Sequence, residues 1–374
     1  MGGPGLLARA GRYRIALGVL VLFVLYPLLD RNPAHVNAAA DAAVFVLLAL
    51  GLNIVVGFAG LLDLGYAAFF AIGSYTYALA ASPFYNVHIP FWPMLFLGAI
   101  IAGVSGALLG APTLRLRGDY LAIVTLGFGE IVPTVFLNLP KYTGGTNGVV
   151  GIDKPVLWGY GSFGFNPVPY YYTLIAIIVF SVIAVLRLRD SRLGRAWLAV
   201  REDEIAAASM GINLTTTKLL AFSFGAFFSG FGGALYVAKL GVVSPEQFNF
   251  TVSFTILAMV VLGGMGSVFG VIAGAGILYE FQTLFLNDLT QWAHTLGAAW
   301  RVAFLTTVNF VDLKFLLYGL GLILLMLLRP EGLFPERRTK AIITERVAAE
   351  IPPEDVSAAA GATGAAEAPP EGGS

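Results

Sequence analysis

Long apolar runs alternate with short polar segments along most of the chain of 374 residues. A helix that crosses a bilayer needs about 20 apolar residues. Eight runs meet or approach that length: 13–29, 38–57, 61–81, 91–110, 119–139, 170–187, 217–240 and 311–328. Because hydrocarbon offers no hydrogen-bond partners to a backbone, these runs predict an all-α, polytopic helical membrane protein.

A ninth apolar region, residues 251–286, is divided by glycines. Gly263, Gly264 and Gly266 separate a short first piece from a longer second one, and glycine readily leaves the helical conformation. We therefore predict two separate passes, so that the chain makes about ten, including broken or short helices. The two passes are 251–264 and 267–286.

The stretch that follows, residues 287–310, has an amphipathic pattern. Leu289, Trp292, Leu296 and Trp300 recur at helical spacing. This spacing predicts an amphipathic helix that lies on the membrane surface.

The placement of Lys and Arg orients the predicted passes. With ten passes and a cytoplasmic N-terminus, the basic residues that fall on the cytoplasmic side are Arg115, Arg117, those of the Arg-rich segment 187–216 and those of the stretch 329–340. The basic residues that fall clearly outside are Arg31, Lys141, Lys154 and Arg301. Nine passes would put the basic tail outside, against the positive-inside rule. We therefore predict that the N-terminus and the C-terminus are both cytoplasmic.

The passes define the predicted domain organisation. A cytoplasmic N-terminus, residues 1–12, precedes a transmembrane permease domain, 13–328, and a cytoplasmic tail, 329–374, follows it. The tail is rich in Ala, Pro, Glu and Gly and is expected to be disordered. Within the domain, a cytoplasmic loop spans 187–216 and an external loop spans 140–169. The external loop is either a docking face for a partner protein or a purely structural loop.

Composition narrows the function classes. The chain is 57% hydrophobic and only 12% charged, which excludes an ordinary soluble domain. Its 22 basic and 22 acidic residues balance, so no net charge favours a nucleic-acid partner. It has no Cys, and its three His lie between apolar runs, so we expect neither a metal site nor a Cys nucleophile. The HExxH and GxSxG motifs are absent, so no catalytic residue is assigned and an intramembrane enzyme is disfavoured.

The longest charged stretch between passes is residues 187–218, in the predicted cytoplasmic loop. Within it, Glu204, Ala207, Ala208 and Gly211 are spaced at i, i+3, i+4 and i+7, which predicts a helix with an acidic start and a stripe of small residues. Such a stripe lets another surface approach closely, and one interpretation is a docking site for a separate ATPase. The other is an ordinary solvated helix. The chain lacks a GxxxxGK[ST] phosphate loop, so any ATP hydrolysis would occur in a partner.

Five stretches, taken in order, cover most of residues 40–330 and carry a family resemblance. They are LGLNIVVGFAGLLDLGYAAFFAIGSYTYAL from Leu50, LRLRGDYLAIVTLGFGEI from Leu114, TGGTNGVVGI from Thr143, GRAWLAVREDEIAAASMGIN from Gly194 and VLGGMGSVFGVIAGA from Val261. Together they resemble the LivM-type permease subunits of branched-chain amino-acid ATP-binding-cassette (ABC) importers. Five matches in the expected order are far more specific than any one of them.

The resemblance implies a multi-pass permease of the bacterial inner membrane that works with other subunits. These are a second, homologous LivH-like permease, two cytoplasmic ATPase subunits (LivG-like and LivF-like) and an extracytoplasmic substrate-binding protein. No cofactor would be bound by this chain, since ATP and Mg belong to the ATPase subunits. The resemblance also implies that the chain contacts membrane lipid. It implies neither a nucleic acid nor a metal ion as a ligand.

In the family that the chain resembles, the cytoplasmic loop carries a Glu-Ala-Ala motif with a glycine four residues after the second alanine. This motif couples the permease to the ATPase. Ala206, Ala207 and Gly211 keep this spacing, but Ile205 occupies the glutamate position and Glu204 lies one residue earlier. The resemblance therefore implies a coupling role for the segment rather than for one carboxylate. The residues assigned to ATPase coupling are Arg201, Glu202, Asp203, Glu204, Ala206, Ala207 and Gly211.

Glycines interrupt the apolar runs at two places, one in each half of the chain. Gly57 and Gly60 break an early run, and Gly263, Gly264 and Gly266 break the late one. Backbone groups freed by a break must face protein or a water-filled cavity. Paired breaks are typical of the substrate path of a transporter, although close packing of helices explains the glycines equally well.

Polar residues within the runs are candidates for the substrate pathway. Asp63 and Glu130 are costly in lipid and should face the bundle interior or an interface. For Asp63, a cap on a half-helix is the alternative. An apolar amino acid needs only a few polar contacts in an otherwise apolar wall. The assigned pathway residues are Asn53, Asp63, Ser74, Tyr75, Glu130 and Asn138.

These observations predict a permease subunit of an ATP-driven importer of branched-chain (aliphatic) amino acids, with no enzymatic activity of its own. The first alternative keeps the importer class and changes the substrate to urea or a short-chain amide, whose importers have similar permeases. The second is a secondary transporter, which would use an ion-coupling carboxylate and no ATPase.

Overall fold

A computed structural model describes residues 23, 25–30, 32–113, 118–157, 161–300, 309–310, 313–329 and 332–334. The predicted N-terminus 1–12, most of the first predicted pass and the tail beyond residue 334 lie outside this described part. The longer α-helices described are α1 Pro33–Leu52, α2 Ala67–Ala80, α3 Phe91–Thr113, α4 Asp119–Asn138, α5 Pro167–Asp190, α6 Arg192–Glu202, α7 Glu204–Ser209, α8 Leu214–Leu240, α9 Phe250–Gly263, α10 Val268–Glu280, α11 Leu286–Trp300 and α12 Lys314–Leu328. A helix of one turn, Pro140–Thr143, follows α4.

Seven helical stretches of the described part are long and apolar enough to cross a membrane. They are Pro33–Phe58, Phe91–Pro112, Asp119–Asn138, Pro167–Asp190, Leu214–Leu240, Pro245–Gly263 and Val268–Leu296. Two shorter apolar helices, Ala67–Ala80 and Lys314–Leu324, accompany them. The prediction of a polytopic helical membrane protein with broken or short helices is confirmed. The predicted run 61–81 is helical only from Ala67, because a loop joins the π-helix Asn53–Phe58, which continues α1, to α2.

The long helix α8 is the centre of the bundle, and α1, α2 and α3 pack against it. Small residues allow the close approach, since apolar side chains gain little from leaving lipid. A Cβ atom on Gly73 of α2 would lie 2.5 Å from the Cα of Gly230 in α8, and one on Gly106 of α3 would lie 2.6 Å from the Cβ of Ala226. Close backbone packing therefore holds these helices together.

Three short antiparallel ladders join the loops at one end of α8. Their strands are β1 Ala81–Ser82, β2 Val87–His88, β3 Val149–Val150, β4 Val156–Leu157, β5 Gly161–Ser162 and β6 Val242–Val243. Strand β1 pairs with β2, β3 with β6 and β4 with β5, with Val149 opposite Val243. We call this end of the bundle, which includes β3 and β6, the strand end.

Charged residues of the loop 140–169 hold the strand end together. Lys154 donates hydrogen bonds to the carbonyl oxygens of Lys239 (2.9 Å) and Ala238 (3.3 Å), which lie in the last turn of α8. Carbonyls in a last turn lack helical partners, and a cation there also complements the helix dipole. Burial lowers the pKa of Lys154. Asp153 pairs with His88 at 2.6 Å. Lys154 and Asp153 therefore both make contacts within the chain.

The described part of the predicted surface helix over 287–310 continues the helix of the preceding pass. A π-helix, Phe281–Phe285, joins α10 to α11, so that Val268–Leu296 forms one continuous span. Ala293 is buried, whereas Trp292 is 63% exposed. The spacing could not show this continuity, because a helix that runs on from a membrane pass has the same spacing as a separate one. Residues 301–308 lie outside the described part.

Candidate functional site

The first glycine break is a change of helix type followed by a turn. Helix α1 passes into a six-residue π-helix, Asn53–Phe58, which contains Gly57. The chain then turns at Gly60, whose φ of +70° lies in the left-handed region that favours glycine. The N–H of Leu61 donates to the carbonyl oxygen of Val55 at 3.0 Å and thereby closes the end of the helix.

The second break lies between α9 and α10. Gly263 is the last residue of α9, and Gly264 and Gly266 adopt φ values of +111° and +91°. The side chain of Ser267 then accepts a hydrogen bond from the N–H of Gly270 at 3.1 Å and caps the start of α10. The N–H of Leu333 donates to the carbonyl oxygen of Leu262 at 2.9 Å, so backbone groups at this break are satisfied within the protein.

The two breaks contact each other, although about 200 residues separate them along the chain. The side-chain oxygen of Asn53 accepts a buried hydrogen bond of 2.9 Å from the N–H of Gly266, across a sequence separation of 213. A Cβ atom on Gly57 would lie 2.6 Å from that same nitrogen. We call this contact of the π-helix with the α9–α10 turn the break junction. Asn53, assigned to the pathway from its residue type, is therefore part of the junction.

Arg201 brings the loop 187–216 to the break junction. It is the penultimate residue of α6, and its guanidinium group donates a hydrogen bond to the carbonyl oxygen of Gly57. Its aliphatic stem packs on Gly60, where a Cβ atom would lie 2.7 Å from the Cγ of Arg201. We call residues 201–211 the loop segment. The first side chain of the loop segment thus faces the membrane helices.

The inner face of the loop segment is fixed by an ion pair and by burial. The Nζ of Lys218, in the first turns of α8, lies 2.5 Å from Oε1 of Glu204, and Lys218 is only 4% exposed. Ala207, one turn further along α7, is 3% exposed. Arg201, Glu204 and Ala207, spaced three residues apart, therefore face the body of the protein.

The outer face of the loop segment carries two large apolar side chains. Ile205 is 69% exposed and Met210 is 84% exposed, and Glu202, Ala206 and Ala208 are exposed beside them. Asp203 caps α7 by accepting hydrogen bonds from the N–H groups of Ile205 (2.7 Å) and Ala206 (3.0 Å). Exposed large apolar groups on a polar loop are typical of a surface that binds a partner.

The predicted stripe of small residues does not form one face. Helix α7 ends at Ser209, so Gly211 lies beyond it, with a φ of +83° and open space around it. Glu204 and Ala207 face inward, whereas Ala208 faces outward. The spacing assumed a helix of eight residues, from Glu204 to Gly211, whereas α7 has six.

Three of the assigned pathway residues lie inside the packed core. Ser74 lies against Gly233 of α8, where a Cβ atom would come within 2.9 Å of its hydroxyl oxygen. The ring of Tyr75 packs on Phe136 with centroids 4.4 Å apart. Asp63 is buried and accepts a hydrogen bond of 2.9 Å from the N–H of Gly65. The cavity beside it has a volume of about 10 Å³, which is at the lower limit for one water molecule.

The other two assigned pathway residues lie on an exposed face of α4. Glu130 accepts a hydrogen bond of 3.2 Å from the N–H of Phe250, the first residue of α9. The side chain of Asn138 donates to the carbonyl oxygen of Thr134 at 2.8 Å. Glu130, Thr134 and Asn138 follow one another at intervals of four residues and are all exposed, which makes a polar stripe along this helix.

The sequence argument missed two ion pairs that lie within or beside the bundle. Lys218 pairs with Glu204, and Lys239 pairs with Asp41 at 2.5 Å. The second pair lines a cavity of about 150 Å³ at the strand end, together with Tyr170. The available signal was a lysine near each end of one apolar run, which requires a partner when its side chain is buried.

The chain matches known permease components. The family model described as "Branched-chain amino acid transport system / permease component" matches residues 35–326. The high-affinity branched-chain amino acid transport system permease protein LivM of Salmonella typhimurium is 40% identical over an alignment of 343 positions, which covers 86% of this chain and 75% of that protein.

More distant relatives include a second kind of branched-chain permease and a sugar permease. LivH of Salmonella typhimurium is 28% identical over 66% of this chain and 83% of its own length. The ribose import permease protein RbsC of Haemophilus influenzae is 26% identical over 70% of this chain and 80% of its own length. No solved structure matches the chain significantly. The predicted resemblance is confirmed, and the chain belongs to the family of permease components of branched-chain amino acid transport systems.

Proposed function

We propose that this chain is a permease subunit of an ABC importer that carries branched-chain amino acids across a bacterial inner membrane. The observation that carries the proposal is the loop segment, whose inner face is tied to the helix breaks while its outer face presents Ile205 and Met210. A secondary transporter has no need of such a surface. The similarity to LivM over most of both chains favours a branched-chain amino acid as the substrate.

In this proposal the outer face of the loop segment docks on a cytoplasmic ATPase subunit. Ile205 and Met210 would enter an apolar groove of the ATPase, and the exposed Glu202 would lie at the rim of the contact. Of the residues assigned to ATPase coupling, Glu202, Asp203, Ala206 and Gly211 belong to this docking surface. ATP and Mg would be bound by the two ATPase subunits and not by this chain.

The substrate path would run along the polar stripe of α4, where the exposed face meets a second, homologous permease. Glu130 and Asn138 are exposed there, whereas Ser74 and Tyr75 are buried in the core. Such a wall, mostly apolar with a few polar groups, suits a zwitterion with an aliphatic side chain and lets it leave again. A substrate-binding protein would deliver the amino acid at the strand end, which we place outside the cell.

ATP-driven closure of the ATPase subunits would then move the docked loop segments toward each other. Because the loop segment is tied to α8 by Lys218 and Glu204 and to α1 by Arg201, its displacement would bias the permeases between outward-open and inward-open states. No step of this cycle requires covalent chemistry by the permease.

Uptake by reconstituted vesicles tests the proposal. The chain is placed in proteoliposomes with the neighbouring permease, ATPase subunits and binding protein, and the entry of labelled leucine and labelled urea is measured with and without internal ATP. We expect ATP-dependent uptake of leucine. Urea uptake would keep the importer class and change the substrate, and uptake driven by an ion gradient without ATP would contradict the proposal.

A further inference from the structure

Arg201 touches both helix breaks at once. Its guanidinium group donates to the carbonyl oxygen of Gly57 in the π-helix. On the other side, a Cβ atom on Gly266 would lie 3.2 Å from Nη1 of Arg201 and 3.4 Å from that same carbonyl oxygen. One cation therefore sits where the end of α1 meets the α9–α10 turn.

The break junction is suited to hold a cation. The π-helix ends α1, and the carbonyl groups at a helix C-terminus carry partial negative charge and lack helical partners. A hydrogen bond from a charged donor to such a carbonyl is stronger than one from a neutral donor. The stem of Arg201 also fits against Gly60, where a larger residue would collide with its Cγ atom. The contact therefore requires a long, charged side chain at position 201 and glycine at position 60.

Arg201 also lies between the anchored part of α6 and the docking surface. Earlier in α6, the buried ring of Trp197 donates a hydrogen bond of 2.7 Å to the carbonyl oxygen of Thr217, which fixes that part of the helix to α8. Two residues after Arg201, Asp203 caps α7, which carries the outer face of the loop segment. A displacement of α7 is thus transmitted to the break junction through the short stretch of backbone between Asp203 and Arg201.

We infer that Arg201 is a positioning residue that transmits movement of the docked loop segment to the two helix breaks, rather than a contact to the ATPase. The inference rests on the proposed function, since it requires an ATPase on the outer face of the loop segment. It assigns the break junction a mechanical role, in which α1 and the α9–α10 turn shift together when the guanidinium group moves. Arg201 was assigned to ATPase coupling through the family resemblance, and in this inference it keeps a coupling role without belonging to the docking surface.

The test is the ratio of leucine uptake to ATP hydrolysis in proteoliposomes that hold the complete complex. We expect Arg201→Ala to keep ATP hydrolysis while the ratio falls on the order of tenfold, within the range of ordinary coupling free energies. Arg201→Lys should restore part of the ratio, because lysine keeps the charge and the stem but loses the planar fork. Arg192→Ala removes the same charge at the exposed start of α6 and is the matched control, with an unchanged ratio.

The outcomes separate this inference from the proposed function. If the wild-type complex shows no ATP-dependent leucine uptake, the proposed function fails. If wild-type uptake is normal and the ratio is unchanged in Arg201→Ala, the inference fails alone. A merely structural role would lower uptake and hydrolysis in proportion to the yield of complex, and this result would also overturn it. If Arg201→Ala does not assemble, Arg201→Lys carries the same test, and failure of both to assemble would count against the inference.

Discussion

The ion pair between Lys218 and Glu204 determines how firmly the loop segment is held to the membrane helices. Their charged atoms lie 2.5 Å apart, with 5% of the Lys218 side chain and 24% of the Glu204 side chain exposed. The perturbations are Lys218→Met and Glu204→Gln, made singly and together. Each single change leaves the remaining charge without this partner, whereas the double change removes both charges.

The expected magnitude follows from the burial of the two side chains. An exposed pair contributes about 0–1 kcal/mol, and breaking a fully buried pair costs about 3–5 kcal/mol. Because one partner is buried and the other is a quarter exposed, we expect an interaction energy of about 2 kcal/mol in the free energy of unfolding. The double variant should be more stable than the sum of the single changes predicts.

The assay is a double-mutant cycle on the free energy of unfolding of the permease in mixed detergent micelles. The matched control is a second cycle that replaces Glu204→Gln by Glu202→Gln, since Glu202 is exposed and should be additive with Lys218. An interaction energy below about 0.5 kcal/mol for Lys218 and Glu204 would refute the reasoning, because distant and independent sites show deviations of that size.

Three further predictions follow from burial and from the α4 stripe. Ala207→Leu should lower the free energy of unfolding by about 1–3 kcal/mol through overpacking, whereas Ala206→Leu on the exposed side should leave it unchanged, as thermal unfolding would show. Lys154→Ala should cost about 1 kcal/mol in the same measurement, because the carbonyl oxygen of Lys239 loses this donor. Asn138→Trp should lower leucine uptake several-fold without changing stability, whereas Ser74→Ala should leave uptake intact; equal effects on uptake would contradict the proposed path.

The passes could be predicted from the sequence because bilayer thickness sets the length of an apolar run. The spans from Phe91, Asp119, Pro167 and Leu214 all correspond to runs that the sequence shows directly. The glycines between 251 and 286 also indicated where one apolar region divides. These features are local, so a single stretch of sequence carries them.

The contacts of the loop segment could not be predicted, because they are not local. Arg201 meets Gly57 across 144 residues, and Asn53 meets Gly266 across 213. No spacing rule brings such residues together. The face of α7 was also misjudged, because a helix of six residues ends before Gly211 can join Ala207 on one side. Residue type and predicted depth likewise could not show that Ser74 and Tyr75 are buried in the core.

Cysteine labelling of the loop segment tests most directly the claim that its outer face docks an ATPase. The chain contains no cysteine, so Ile205→Cys, Met210→Cys and Ala207→Cys each give a single reactive site. Labelling by a water-soluble maleimide is measured on the permease alone and on the complex with its ATPase subunits. The account predicts fast labelling at 205 and 210 that assembly suppresses, and slow labelling at 207 in both samples. Undiminished labelling at 205 and 210 in an assembled complex that hydrolyses ATP would contradict it.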